Sequence, residues 1–111
     1  MTIEWAYIRK GCESCKKALA YFAENNISVD LTVDARQEKI DAEKAWDVIR
    51  HQNHVYIAKG KGKVLSFVPD PMVSEEILKH ALGRSGNLRA PTVIRMTNIF
   101  IGFNEGIYNR L

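Results

Sequence analysis

The chain has 111 residues, of which 46% are hydrophobic and 26% are charged. This balance excludes a disordered chain, and the length suffices for a single domain whose core needs no disulfide or metal. The net charge of +3 comes from scattered basic residues without a recognisable binding module, so we predict no nucleic-acid partner. No apolar run approaches the ~18 residues of a membrane span and no secretory signal is evident, which predicts a cytoplasmic protein without a membrane partner.

The opening third of the chain reads as strand, helix and strand. Residues 3–8 are rich in β-branched and aromatic side chains and end before a glycine, which predicts a buried strand. Helix-forming residues dominate from 16 to 26, and residues 28–33 alternate as a second strand. A helix of this length allows the two strands to run parallel through a crossover connection.

The middle of the chain, approximately residues 37–86, reads as a mainly helical insertion. Asp41 is a predicted N-cap, followed by apolar residues at helical spacing. Residues 54–69 read as two short strands around a turn of glycine and lysine. Ser74 is the predicted N-cap of the next helix, which carries two glutamates in its first turn.

The last third of the chain reads as two strands and a helix. Residues 92–94 and 98–103 are apolar runs separated by a short turn, which predicts a hairpin. Asn104 is a predicted N-cap for a terminal helix. The whole order is therefore βαβ, then the insertion, then ββα.

The only two cysteines, Cys12 and Cys15, lie where the first predicted strand turns into a helix. A sulfur at a helix start faces free N–H groups and the positive end of the helix dipole, which favours the thiolate. Cys12 is therefore the predicted nucleophile, and Cys15, one helical turn later, is the predicted resolving thiol.

Two other interpretations of the cysteines stay open. They could be inert thiols in a core, since free cysteine behaves as a small hydrophobe. They could also form half of a zinc site together with His51 and His54. The spacings differ from those of zinc fingers, so we predict no bound metal and no cofactor.

Three stretches of the chain carry information beyond local structure. They read GCESCKKALAYFAENNI (residues 11–27), LRAPTVI (residues 88–94) and IGFNEGIY (residues 101–108). Together they resemble the thioredoxin fold and, within that superfamily, the arsenate-reductase-like branch that includes ArsC and the regulator Spx. The resemblance covers essentially the whole chain.

The resemblance implies both a fold and a place for substrate. The implied fold is an α/β, thioredoxin-like domain over residues 1–111, with βαβ and ββα halves around a mixed four-stranded sheet and the insertion between them. It also implies that Pro91 follows a cis peptide bond and lies beside the dithiol. The backbone of Ala90 can then pair with an extended substrate segment.

The chain departs from arsenate reductases at the positions that help to hold arsenate. Those enzymes have an arginine directly before the proline and another after the last strand. Here Ala90 precedes the proline, GFN follows the last predicted strand, and Arg89 is the nearest arginine. We therefore do not predict arsenate as the substrate. The predicted substrate-binding residues are Gly11, Lys16, Arg89, Ala90, Pro91 and Thr92, although for Thr92 we favour an ordinary strand role.

The dithiol and the resemblance together predict a thiol-disulfide oxidoreductase. Its predicted partners are a protein or low-molecular-weight disulfide, or a related oxidised substrate, and an electron donor that the sequence does not identify. The alternative is a redox-sensing regulator of the Spx type, in which the disulfide changes affinity for a protein partner. The chain lacks an obvious extended basic surface, which favours the enzyme.

Overall fold

A computed structural model describes residues Met1–Leu111 as an α/β protein with six strands and four α-helices. The strands are β1 (Thr2–Ile8), β2 (Ser28–Asp34), β3 (His54–Lys59), β4 (Lys63–Phe67), β5 (Thr92–Arg95) and β6 (Asn98–Ile101). The helices are α1 (Glu13–Glu24), α2 (Ala42–Ile49), α3 (Ser74–Ala81) and α4 (Glu105–Tyr108), and a 3-10 helix (Pro71–Val73) leads into α3. None of the helices has both the length and the hydrophobicity that crossing a bilayer requires.

All six strands form one mixed sheet in the order β2-β1-β5-β6-β3-β4. β1 is parallel to β2 and β3 is parallel to β6, whereas β5 is antiparallel to both β1 and β6. It follows that β1, β2, β3 and β6 point in the same direction. Their carboxyl ends and the amino end of β5 therefore meet at one edge of the sheet, which we call the carboxyl edge.

The predicted four-stranded sheet is wrong, because the insertion adds β3 and β4 as an antiparallel pair beyond β6. The two strands predicted over residues 54–69 are present, but their place in the sheet was not predicted. In the register of β3 and β6, Val55 pairs with Ile99 and Ile57 with Ile101. All four side chains are fully buried. Burial of this apolar strip favours adding the insertion to the sheet.

Helices cover both faces of the sheet and divide the core into two layers. One layer contains α1, α4 and sheet residues, including Ala18, Phe22, Phe100, Ile107 and Tyr108. The other contains α2, α3 and sheet residues, including Ala45, Ile49, Ile77, Ala81 and Ile101. Neighbouring residues of β6 thus contribute to opposite layers, as the alternation of a strand requires.

The predicted N-caps Asp41 and Asn104 are confirmed, since the side-chain oxygen of each accepts a backbone N–H three residues later. Ser74 is not the N-cap that the sequence predicted; it is the first residue of α3. Helical winding begins earlier, because Asp70 caps the preceding 3-10 helix by accepting the N–H of Met72 at 2.8 Å.

Candidate active site

Cys12 lies at the carboxyl edge, in the turn from β1 to α1, and is the N-cap of α1. Gly11 has φ +82°, a left-handed conformation that glycine adopts without steric cost, and it turns the chain there. The sulfur of Cys12 accepts the N–H of Cys15 at 3.4 Å, while its side chain is only half-buried. A partly open sulfur at this position has helix N–H groups to stabilise negative charge.

Cys15 lies one turn further along α1 and is only 1% exposed. Its sulfur accepts the backbone N–H of Arg9 at 3.3 Å. Burial raises the pKa of the Cys15 thiol to about 12, and the neighbouring Cys12 sulfur raises it too, against the lowering effect of the Arg9 N–H. Both cysteines are free thiols. The two sulfurs therefore differ: Cys15 is buried and keeps its proton, whereas Cys12 is partly open and accepts a helix N–H.

The loop before β5 brings Ala90 against the dithiol. The carbonyl oxygen of Ala90 lies 3.8 Å from the sulfur of Cys12, where it accepts the thiol proton. The Ala90–Pro91 peptide bond is cis, and the carbonyl of Pro91 accepts the N–H of Gly102 at 2.8 Å. Residues 11–27 and 88–94, two of the stretches on which the resemblance rests, therefore contact each other where β1 ends and β5 begins.

Arg89 and Thr92 anchor this loop to the fold. The hydroxyl of Thr92, which is fully buried, donates to the carbonyl of Arg89 at 2.7 Å. The Arg89 Nη1 donates to the carbonyls of Ala58 and His80 at 2.9 and 3.1 Å. Burial also lowers the pKa of Arg89. The hydroxyl of Thr92 is thus engaged within this loop, and one nitrogen of Arg89 is committed to main-chain carbonyls.

The sequence analysis did not identify Gly102, which packs against the guanidinium of Arg89. It is buried and has φ +81°. A Cβ atom there would lie 2.7 Å from Nη2 of Arg89 and 3.0 Å from the Cβ of Ala58. Because Gly102 has no side chain, the guanidinium of Arg89 has room to pack against it. The only sequence signal was its position directly after the last strand.

A cavity of about 500 Å³ opens beside Cys12. Its lining includes Ala90 and four basic residues, Arg9, Lys39, Arg84 and Arg89, and it contains no aspartate or glutamate. Ala90 was a predicted site residue, but of the four basic residues only Arg89 was. Lys39 and Arg84 come from two loops far apart in the chain, which local patterns do not connect.

The remaining predicted residues lie on the other side of the dithiol turn. Gly11 and Lys16 line a second cavity of about 390 Å³, together with Cys15 and Lys10. Lys16 is exposed and does not line the cavity beside Cys12. Six of the predicted site residues therefore divide between two cavities on either side of the CxxC turn, whereas Pro91 and Thr92 line neither cavity.

The geometry does not support the zinc interpretation. His54 begins β3, and since β3 runs in the same direction as β1, it lies at the edge opposite the cysteines. Its ring stacks on Tyr56, and the Nδ1 of His51 contacts the carbonyl of Asp47 at 2.7 Å. No group of three or more histidine, cysteine, aspartate or glutamate side chains is placed to hold a metal ion.

Three features meet at the carboxyl edge: a partly open sulfur at a helix N-cap, a buried thiol one turn later, and a basic cavity. The site therefore offers an accessible sulfur, a second sulfur that keeps its proton, and a concentration of positive charge. Comparison of the chain with protein-family models and with curated proteins found no match.

Proposed function

We propose that the protein is a thiol-disulfide oxidoreductase with a thioredoxin-like fold, in which Cys12 attacks a disulfide and Cys15 resolves the mixed disulfide. The observation that carries the proposal is the asymmetry of the two sulfurs. Cys12 is partly exposed and accepts a helix N–H, whereas Cys15 is buried and its pKa is raised. One thiol is suited to attack, and the other is suited to wait in its protonated form.

The strand order supports the proposed fold. β1, α1 and β2 form a parallel βαβ half, and the β5–β6 hairpin followed by α4 forms a ββα half. The two halves join through the antiparallel pairing of β1 with β5. This pairing brings the turn after β1, which contains Cys12, next to the loop before β5, which contains Ala90. β3 and β4 then extend the sheet beyond β6.

The proposed reaction has two exchange steps. The Cys12 thiolate attacks one sulfur of the substrate disulfide, forms a mixed disulfide, and releases the other half of the substrate as a thiolate. The negative charge on Cys12 disappears in this step, and with it one influence that raises the pKa of Cys15. Cys15 then loses its proton to solvent and attacks the sulfur of Cys12.

The second step releases the remaining half of the substrate and leaves a Cys12–Cys15 disulfide. The substrate has then gained two electrons from the dithiol. An external thiol donor returns two electrons to complete the cycle. The carbonyl of Ala90, 3.8 Å from the attacking sulfur, is placed to accept a hydrogen bond from an extended substrate.

Trapping the mixed disulfide tests the proposal. A Cys15→Ser variant cannot resolve the intermediate, so incubation with hydroxyethyl disulfide should leave a stable adduct on Cys12, visible by mass spectrometry of the intact protein and its peptides. The matched Cys12→Ser variant retains only the buried thiol and should remain unmodified over the same time. Absence of an adduct on Cys12, or equal labelling of Cys15 in the matched variant, would contradict the proposal.

A further inference from the structure

We propose that the basic cavity beside Cys12 selects low-molecular-weight disulfides that carry carboxylates. This inference rests on the proposed function and specifies the substrate class for the same site. The cavity is defined by its four basic lining residues, Arg9, Lys39, Arg84 and Arg89. A carboxylate-bearing disulfide would place its charge among these residues and its sulfur against Cys12.

The positive charge of the cavity has no internal counter-charge. The ion pairs of the protein join Arg50 to Asp47 and His80 to Glu76, so none of the four cavity residues has a carboxylate within ion-pair distance. Nor does any acidic side chain line the cavity, although Glu13 follows Cys12 directly in α1. Like charges gathered around a concave site attract an anion from solution.

Two hydrogen bonds to main-chain carbonyls fix the loop that contains Lys39. The hydroxyl of Tyr7, a buried residue of β1, donates to the carbonyl of Glu38. On the other side of Lys39, the carbonyl of Ile40 accepts the N–H of Leu88 at 2.7 Å. Lys39 thus extends from a backbone that is held on both sides, and the bond to Leu88 ties this loop to the one that contains Arg84.

Arg84 belongs to a short closed loop between α3 and β5. The N–H of Gly83 donates to the carbonyl of Asn87 at 2.8 Å, and Leu82 and Leu88 form an antiparallel bridge. This closure holds the backbone of Arg84 at the mouth of the cavity, while its exposed side chain remains free to contact a ligand. A guanidinium with free donors can form two parallel hydrogen bonds to one carboxylate.

Arg89 contributes mainly to the positive potential of the cavity. Its Nη1 is already engaged by two carbonyls, and the side chain is only partly exposed. A partly desolvated cation interacts more strongly with an incoming anion than one surrounded by water does. Arg9, Lys39 and Arg84 therefore provide the contacts, and Arg89 strengthens the attraction.

The size of the cavity favours a small substrate. A volume of about 500 Å³ falls within the range of small-molecule sites, roughly 300 to 1,000 Å³. The leaving half of the substrate is itself an anion, since disulfide exchange expels a thiolate. The same basic residues would thus bind the carboxylates and stabilise the charge that develops on the leaving sulfur.

Single-turnover reduction of three symmetric disulfides tests the inference. The fully reduced protein is mixed at low ionic strength with dithiodipropionate, which is anionic, hydroxyethyl disulfide, which is neutral, or cystamine, which is cationic. Each rate constant is divided by that of a small reference thiol with the same disulfide, so that intrinsic reactivity cancels. We expect the anionic disulfide to be favoured about tenfold over the neutral one, cystamine to be slowest, and the differences to shrink as salt is added.

Paired variants locate the preference. The double variant Lys39→Gln, Arg84→Gln should lose most of the preference for dithiodipropionate over hydroxyethyl disulfide, so that the ratio of the two normalised rate constants falls several-fold toward one. The control Lys61→Gln, Lys79→Gln removes the same amount of charge from exposed positions outside the cavity and should keep the preference.

The outcomes separate this inference from the proposed function. Failure of the wild-type protein to reduce any of the three disulfides would overturn both. Normal reduction of hydroxyethyl disulfide without a preference for the anion, or an equal loss of preference in the control variant, would overturn this inference alone. An unchanged far-UV circular dichroism spectrum and urea midpoint of the cavity variant show that it is folded.

Discussion

Cys15 is 1% exposed, whereas Cys12, one helical turn earlier, is half-buried and lies beside a cavity. The two thiols thus share a helix end but not an environment. Burial determines the protonation of Cys15, and the helix N-cap determines the surroundings of Cys12. The roles that we propose for the two thiols rest on this difference.

The raised pKa of Cys15 predicts how stability depends on pH. A thiol in the unfolded chain ionises near pH 8.5, whereas the folded state holds the proton until about pH 12. Below about pH 8.5 the Cys15 thiol therefore makes its full contribution to the stability of the reduced protein. This contribution is lost progressively as the pH rises toward 12. We expect the free energy of unfolding to fall by about 1.5 kcal/mol between pH 8.5 and pH 10 from this group alone.

Urea denaturation under reducing conditions measures this dependence. A Cys15→Ala variant lacks the titrating group, so its free energy of unfolding should decline less over the same range. Burial also raises the pKa of Tyr7 and Tyr108 above their ordinary value of 10.0, but both tyrosines are present in both proteins, so the difference between the two slopes reports on Cys15. Identical slopes for the two proteins would show that the thiol is not held in its protonated form.

The loop before β5 has its shape because several elements hold it. Arg89 reaches the carboxyl end of α3 at His80 and the end of β3 at Ala58, and Gly102, just after β6, leaves room for its guanidinium. The position of Ala90 relative to Cys12 therefore depends on elements from both the insertion and the ββα half.

Substitution of Gly102 tests this dependence. The left-handed conformation of Gly102 and the contact of a Cβ with Arg89 both oppose an alanine, so Gly102→Ala should lower the free energy of unfolding by at least about 2 kcal/mol. Gly60→Ala is the control, because a Cβ there meets nothing within 4 Å, and its effect should stay within about 0.5 kcal/mol. Equal effects of the two substitutions in urea denaturation would contradict the proposed packing.

The insertion is part of the same sheet as the two halves that flank it. β3 lies between β6 and β4, and its fully buried residues Val55 and Ile57 pack in the layer that also contains α2 and α3. Unfolding of the insertion alone would expose one side of β6 and most of that layer. We therefore expect the protein to unfold as one cooperative unit.

A substitution in β3 measures this cooperativity. Ile57 is fully buried and pairs with Ile101 of β6, so Ile57→Ala should destabilise the protein by about 2 to 5 kcal/mol. Tryptophan fluorescence and far-UV circular dichroism should report the same shifted midpoint. Val64→Ala, at an exposed position on β4, should cost less than about 1 kcal/mol. Separate transitions from the two probes would indicate that the insertion unfolds independently.

Much of the local structure could be predicted from the sequence. In residues 3–8 and 28–33 the apolar side chains cluster or alternate as they do in strands. Asp41 and Asn104 begin helices because their short side chains accept nearby backbone N–H groups. The placement of Cys12 at a helix N-cap followed from the same kind of signal. These features involve residues within a few positions of one another, so the sequence contains all of their determinants.

Only the tertiary structure decided the size of the sheet and the character of the site. The pairing of β3 with β6, the burial of Cys15 and the meeting of Lys39 with Arg84 all join segments that are distant in the chain. Which segments meet depends on how the whole apolar surface is buried, and no local pattern contains that information. The sequence by itself thus determined that Cys12 lies at the start of a helix, and the packing of the complete chain determined the charges that surround it.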